Sequence, residues 1–204
     1  MGGVSPWRDE LWAGLVFVVL GAINEAYLRL KAAGEYTPTW KENQFSAALV
    51  LHFWDLRDEQ DALKIVMVAD EARLLAEQVR CGEFDPDRSP RIDLQFRHVA
   101  APHKVFFGVE AKVLTSETIG ARRPRRSVKD YVVEGMQRFV SGKYSTGLPD
   151  AAMVGFVVAG AVPDLVQAIA DRVVASGLPW KQNLRNADEA VCVGHYGSVH
   201  PRSG

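Results

Sequence analysis

The segment "RIDLQFRHV" alternates Ile92, Leu94 and Phe96 with Arg91, Asp93, Gln95 and Arg97. A period of two cannot be laid on a helix, whose faces repeat every three to four residues, so this stretch commits the chain to a sheet with one face buried. Asp93 falls on the polar face. After "AAPH", short enough for a hairpin, "HKVFFGVEAKVL" predicts the next strand. Residues two apart on a strand share a face, so Glu110 and Lys112 point one way and Ala111 the other. A carboxylate and an ammonium therefore sit side by side near the end of a strand otherwise fit for burial.

A sheet of this kind needs helices to cover it, and the rest of the chain supplies them. Residues 7–33 carry apolar positions at helical spacing and stop at Gly34. Their most apolar run, Leu11 to Ile23, is 13 residues long, short of the roughly 18–20 that span a bilayer. The preceding "WRDE" is not the basic leader of a secretory signal. A buried helix and no membrane association are expected. Pro38 breaks the pattern, and a second helix follows with Phe45, Leu49 and Phe53 on one side. The stretch "ALKIVMVADEARLLAEQV" is read as mostly helical, because its alanine, leucine and glutamate content outweighs the short run from Ile65 to Val68.

Beyond the lysine strand, "VKDYVVEGMQRFVSG" sets Val132, Met136, Phe139 and Val140 against Asp130, Glu134, Gln137, Arg138 and Ser141, and Gly142 ends this helix. "AAMVGFVVAG" has the unbroken apolar character of a strand buried on both faces. Pro163 opens another helix, and "AVCVGHYGS" offers a last strand. Strands alternating with helices predict an α/β or α+β fold, a mixed sheet flanked by helices. At 204 residues and 48% hydrophobic content, one domain over 1–204 is expected. It divides into a helical part over about 1–80, a sheet core over about 88–175, and a C-terminal strand and tail over 176–204.

Asp93 on one strand and Glu110 with Lys112 on the next would gather two carboxylates and one ammonium at a sheet edge. Such a set suits a hard divalent cation, which takes carboxylate oxygens and keeps open positions for water and a phosphate oxygen. The lysine can orient or deprotonate the attacking water and offset charge at the reacting phosphate. The bland alternative is a solvated ion pair. With a formal net charge of -1, any hold on a polyanion must come from local clustering. "GARRPRRS" provides it, placing Arg122, Arg123, Arg125 and Arg126 just after the lysine strand, suited to phosphate backbones. Cys81 and Cys192 have no ligand spacing, so a disulfide framework and a zinc site are not expected and a reducing cytoplasm fits best. His98, His103, His195 and His200 also lack ligand spacing. No Walker loop or GxSxG elbow occurs.

"PRID", with Asp93, and "VEAK", with Glu110 and Lys112, on successive strands that precede a helix and an apolar strand, resemble the PD-(D/E)xK nuclease superfamily. The likeness covers about Met1 to Ala175 and departs in one letter, since Pro90 stands three residues before Asp93 instead of next to it. It implies a restriction-endonuclease-like fold and a Mg2+-dependent (or Mn2+-dependent) nuclease in which Asp93 and Glu110 hold the metal and Lys112 serves the water. Two accessory residues come with it: Glu25 in "NEAYL", similar to the helix acid that many members add to the metal site, and Gln137, similar to the glutamine of exonuclease-like branches. The implied partners are DNA ahead of RNA and a larger motor or sensor protein of a restriction or anti-phage defence system; whether the chain forms a homo-oligomer is left open by the sequence. The competing expectation is a non-catalytic subunit that binds nucleic acid, or a structural partner that uses exposed tryptophans such as Trp7 and Trp180.

Overall fold

Two helices open the chain in the computed structural model, which describes residues 6–74, 85–102, 105–144, 148–180, 182–186 and 195–201. Helix α1 (Pro6–Ala33) ends at Gly34, whose φ of 65° is the left-handed conformation that a helix stop asks for. Helix α2 (Glu42–Glu59) packs back against it. Lys41 cannot cap α2 with an acceptor, so Gln44 reaches back and its side-chain oxygen takes the Lys41 N–H at 2.8 Å. Leu15, Val19, Ala22 and Leu30 of α1 are buried with Leu49, Phe53 and Leu56 of α2.

The expectation of a buried first helix holds for one face. Leu11, Phe17 and Leu28 lie on the exposed side. Residues Glu10–Ala33 are long and apolar enough to cross a membrane, and 28% of that window is buried within the fold.

The sheet that these helices cover has the order β1-β2-β3-β4, formed by Val66–Arg73, Arg91–His98, Phe107–Thr115 and Ala152–Ala159. The first three strands are antiparallel neighbours, and β4 lies parallel to β3. A parallel pair needs a crossover, here the helix running 124–140. The fold is therefore a mixed α/β sheet flanked by helices. Alternation along β3 sorts its side chains: Val109, Ala111 and Val113 enter the core under α1 and α2, whereas Leu114 joins Val128, Val132 and Val173 under the 124–140 helix (α3) and α4 (Val162–Ala175). All nine residues of β3 are buried. A hairpin of β5 (Gln182–Asn186) and β6 (Tyr196–Val199) stands apart as a second sheet, of which the sequence indicated only the later strand.

Two readings of the sequence need correction. Residues 66–73 are a strand and not a helix. Pairing with β2 from Val66↔His98 to Arg73↔Arg91 decides the matter, since a sheet edge offers backbone partners that local propensity does not foresee. The helical reading of the following 75–79 lies outside the described residues, as do Cys81, His103, Cys192 and the side chain of Trp7. Strand β4 packs on a core cluster on each face, with Val154, Phe156 and Val158 on one and Met153 and Val157 on the other, but it is less completely buried than the sequence suggests. It is an edge strand in this sheet, and only Phe156 within it is fully buried.

Candidate functional site

The β2–β3 ladder runs from Phe96↔Phe107 to Leu94↔Val109 and then stops. The next inward donor on β3, the Ala111 N–H, bonds at 2.6 Å to a carboxylate oxygen of Asp93 instead of a backbone carbonyl. A side chain thus takes the place of a ladder bond, and the two strands part where Glu110 and Lys112 stand. The sequence placed these residues at a sheet edge. They lie in the interior, with Glu110 2% and Lys112 7% exposed. A solvated surface pair is therefore not what the chain builds.

Lys112 Nζ is the centre of the cluster. It donates to Glu110 Oε1 at 3.0 Å, to Glu42 Oε2 at 2.9 Å and to the Ala111 carbonyl at 2.8 Å, and Asp93 Oδ2 lies 4.0 Å away. Burial works against its charge, but Glu110 and Glu42 outweigh burial and hold the ammonium above its ordinary range. Burial, reinforced by Asp93, pushes the Glu110 carboxyl up from 4.5 to about 7, against the pull of Lys112 and Arg138. Glu110 Oε2 is buried without a hydrogen-bond partner. An orphaned carboxylate oxygen beside a second carboxylate fits a cation better than it fits a finished salt bridge.

The raised carboxyl has a measurable consequence. The folded protein binds this proton more tightly than the unfolded chain does, so the associated stability is present below pH 4.5 and is lost as pH rises through about 7. In EDTA, Tm is expected to fall across that window in thermal scans. Glu110→Gln, which keeps the shape of the protonated side chain, should flatten this part of the profile. An identical slope in the variant would show that Glu110 is not the group responsible.

Glu42 and Arg138 belong to the cluster and were not picked out by sequence. Glu42 lies in the first turn of α2, where an acid is the usual complement to the helix dipole, and that ordinary role hid it. Arg138 Nη1 lies 3.5 Å from Glu110 Oε1 and also donates to Tyr144, while Nη2 donates to Glu134 at 2.6 Å. The 124–140 helix is α-helical over Pro124–Lys129, a π-helix over Asp130–Met136, and α-helical again over Gln137–Val140. The Gln137 N–H reaches back five residues to the Val132 carbonyl. This wider turn carries Arg138 round to Glu110 and leaves Gln137 exposed.

Glu25 also lies elsewhere. It pairs with Arg29 at 3.5 Å, and Arg29 forks onto both carboxylate oxygens of Glu59. Glu59 ends α2 and Glu42 begins it, about 25 Å apart at the helical rise. Glu25 thus belongs to a surface network tied to the far end of that helix. Among the described residues no three His, Cys, Asp or Glu side chains form a group fit to hold a metal. Asp93 and Glu110 make a two-carboxylate set, which suits Mg2+, an ion commonly held by one or two carboxylates with the remainder as water.

The four arginines divide. Arg122 sends its guanidinium to the backbone carbonyls of Pro38, Thr39 and Trp40 and so clamps the α1–α2 connection. Arg123 bonds the carbonyls of Gly120 and Arg122 within its own turn. Pro124 starts the helix, so Arg125 and Arg126 occupy its first turn and not a loop, and both are exposed. Arg122→Ala is expected to cost ~1–3 kcal/mol of stability through the carbonyls left unpaired, with no change in the salt dependence of DNA binding. A flatter salt slope in that variant would return Arg122 to the binding surface. Trp180 is half-buried and stacks on His200 at 6.1 Å, so it is not the free tryptophan that a docking role needs. His98 accepts the Ala100 N–H, and His200 contacts Ser198 and the Pro179 carbonyl. Comparison with known families, with curated proteins and with solved structures finds no match to this chain.

Proposed function

We propose that this protein is a Mg2+-dependent nuclease that hydrolyses phosphodiester bonds in DNA. The observation that carries this reading is the burial of Glu110 beside Lys112 on an interior strand, with Asp93 of the neighbouring strand bonded across the gap. Removing such a set from water is costly, and groups held this way are more often chemical than structural. The resemblance to PD-(D/E)xK nucleases rests on the same three residues. A restriction-endonuclease-like fold is part of the proposal, and the antiparallel β1-β2-β3 with parallel β4 supports it.

In this reading Asp93 and Glu110 hold the metal, for which Mn2+ would also serve. When bound, the ion supplies Lewis acidity at a phosphate oxygen and a more acidic water. Lys112 positions the attacking water and stabilises the charge that develops on the phosphate. Glu42 holds the lysine from the opposite side, and Arg138 partly offsets the Glu110 charge. The setting that goes with the resemblance is a restriction or anti-phage defence system beside a larger motor or sensor, and the cysteine usage fits the cytoplasm, with self-association as a further property to test. Incubation with plasmid and with single-stranded DNA should give cutting in Mg2+ and none in EDTA. Cutting that persists in EDTA would overturn the metal mechanism.

One observation favours a second reading. Lys112 already faces three carboxylates, the pattern of a closed structural network. A non-catalytic binding subunit would retain DNA in a salt-dependent way with no turnover in any divalent ion.

A further inference from the structure

The helix that delivers Arg138 carries another group of cations before its π-helical segment. Its exposed flank and the facing side of α4 enclose an open cleft of about 780 Å3 lined by Arg125, Arg126, Lys129, Asp130, Glu134 and Arg172. The two acids are engaged, Asp130 with Arg126 at 3.6 Å and Glu134 with Arg138 at 2.6 Å. Among the described residues Arg125, Lys129 and Arg172 have no acidic partner. The Arg172 Nε is shielded from solvent and makes no hydrogen bond. A guanidinium N–H withdrawn from water without an acceptor is unfavourable, and the oxygens of a phosphate are the ligand that best relieves three convergent cations.

The cleft is joined to the carboxylate–lysine cluster through Glu134 and Arg138. Glu134 lines the cleft and holds Arg138, whose other Nη faces Glu110. Along the helix, Lys129 and Arg125 precede Arg138 by nine and thirteen residues, at most about 14 and 20 Å at the α-helical rise, because the π-helical turn between them rises less per residue. One DNA strand advances about 3.4 Å per base pair along the duplex axis, so this offset corresponds to about four to six base pairs.

The geometry points to a second phosphate site for a nucleic-acid backbone at Arg125, Lys129 and Arg172, about four to six base pairs from the phosphate at Asp93, Glu110 and Lys112. The preferred substrate is then a duplex long enough to occupy both. This inference rests on the nuclease reading for the position of the reacting phosphate. The grip of the cleft on a backbone is independent of whether Lys112 is catalytic.

The test uses the full chain and DNA hairpins with stems of about 4 to about 16 base pairs, bracketing the offset. Binding is followed by fluorescence anisotropy in EDTA over a range of salt, and cutting is followed separately in Mg2+. The triple variant R125A/K129A/R172A should bind long stems about 30-fold or more weakly and lower the log–log salt slope by about two to three. Short stems, which can occupy the cleft or the cluster but not both at once, should bind the wild type more weakly than long stems do. Equal affinity and salt slope for long stems, in a variant with wild-type circular dichroism and Tm, would overturn the cleft. A wild type that shows the length dependence and never cuts would overturn the nuclease reading and leave the backbone site standing. A wild type that cuts, with a triple variant that cuts long stems equally well, would remove the cleft and keep the nuclease.

Discussion

Lys112→Ala is expected to abolish DNA cutting, with kcat down by about 10²–10⁴-fold or more, as for loss of a group that handles the water proton. Retention of DNA in EDTA should be unchanged. Because Lys112 is buried among Glu110, Glu42 and Asp93, its removal leaves carboxylates facing one another, and the variant is expected to melt earlier as well. Asp93→Asn separates the two effects. An asparagine oxygen can still accept the Ala111 N–H, so the fold is kept while a metal ligand loses its charge. Cutting should fall by a similar factor with little change in Tm. Wild-type rates in both variants would end the assignment of Asp93 and Lys112 as the site of cutting.

The largest expected loss of stability lies in the opposite layer. Phe53 is buried under the sheet, with its ring 5.2 Å from that of Phe96 at an interplanar angle of 61°. Phe53→Ala removes that edge-to-face contact and leaves a cavity between α2 and β2, at a cost of ~3–5 kcal/mol. A domain of this kind has roughly 5–15 kcal/mol in total, so the urea midpoint should fall by about a fifth or more. The slope of the transition should stay constant. A shift below about 1 kcal/mol, less than an ordinary buried truncation produces, would show that the α2–β2 packing is looser than described.

What could be read in the sequence follows from chain proximity. Asp93, Glu110 and Lys112 are legible because two successive strands joined by a short turn must lie side by side, and alternation then fixes which side chains meet. Glu42 is 70 residues from Lys112 along the chain, and nothing local marks one first-turn acid from another. Arg138 escaped because a 3.6-residue period was applied across a segment that is π-helical. Gln137 and Arg138 both lay on the polar stripe, and the wider turn chose between them. Strand β1 was missed because its residues favour a helix in isolation, and only β2 offers them the alternative. The arginine cluster was legible as charge but not as function, since Arg122 spends its guanidinium on carbonyls from the α1–α2 connection.

The order of the layers along the chain also bears on synthesis. The face of α1 and α2 that holds Leu15, Val19, Phe45 and Phe53 is closed by residues of β2 and β3 and finally by Phe156 of β4, which stacks on Phe45 at 4.7 Å. Trp12 likewise donates to Asp150 at 2.6 Å. At ribosomal rates of about 5–20 residues per second, the 111 residues between Phe45 and Phe156 take roughly 6–20 s to emerge. Until β2 and β3 have emerged, the apolar faces of α1 and α2 have been made and have no sheet to cover them, and the Phe45 end is closed last, by β4. The half-made chain is therefore more prone to associate than the finished protein, and the arrival of β2 and β3 is what ends most of that exposure.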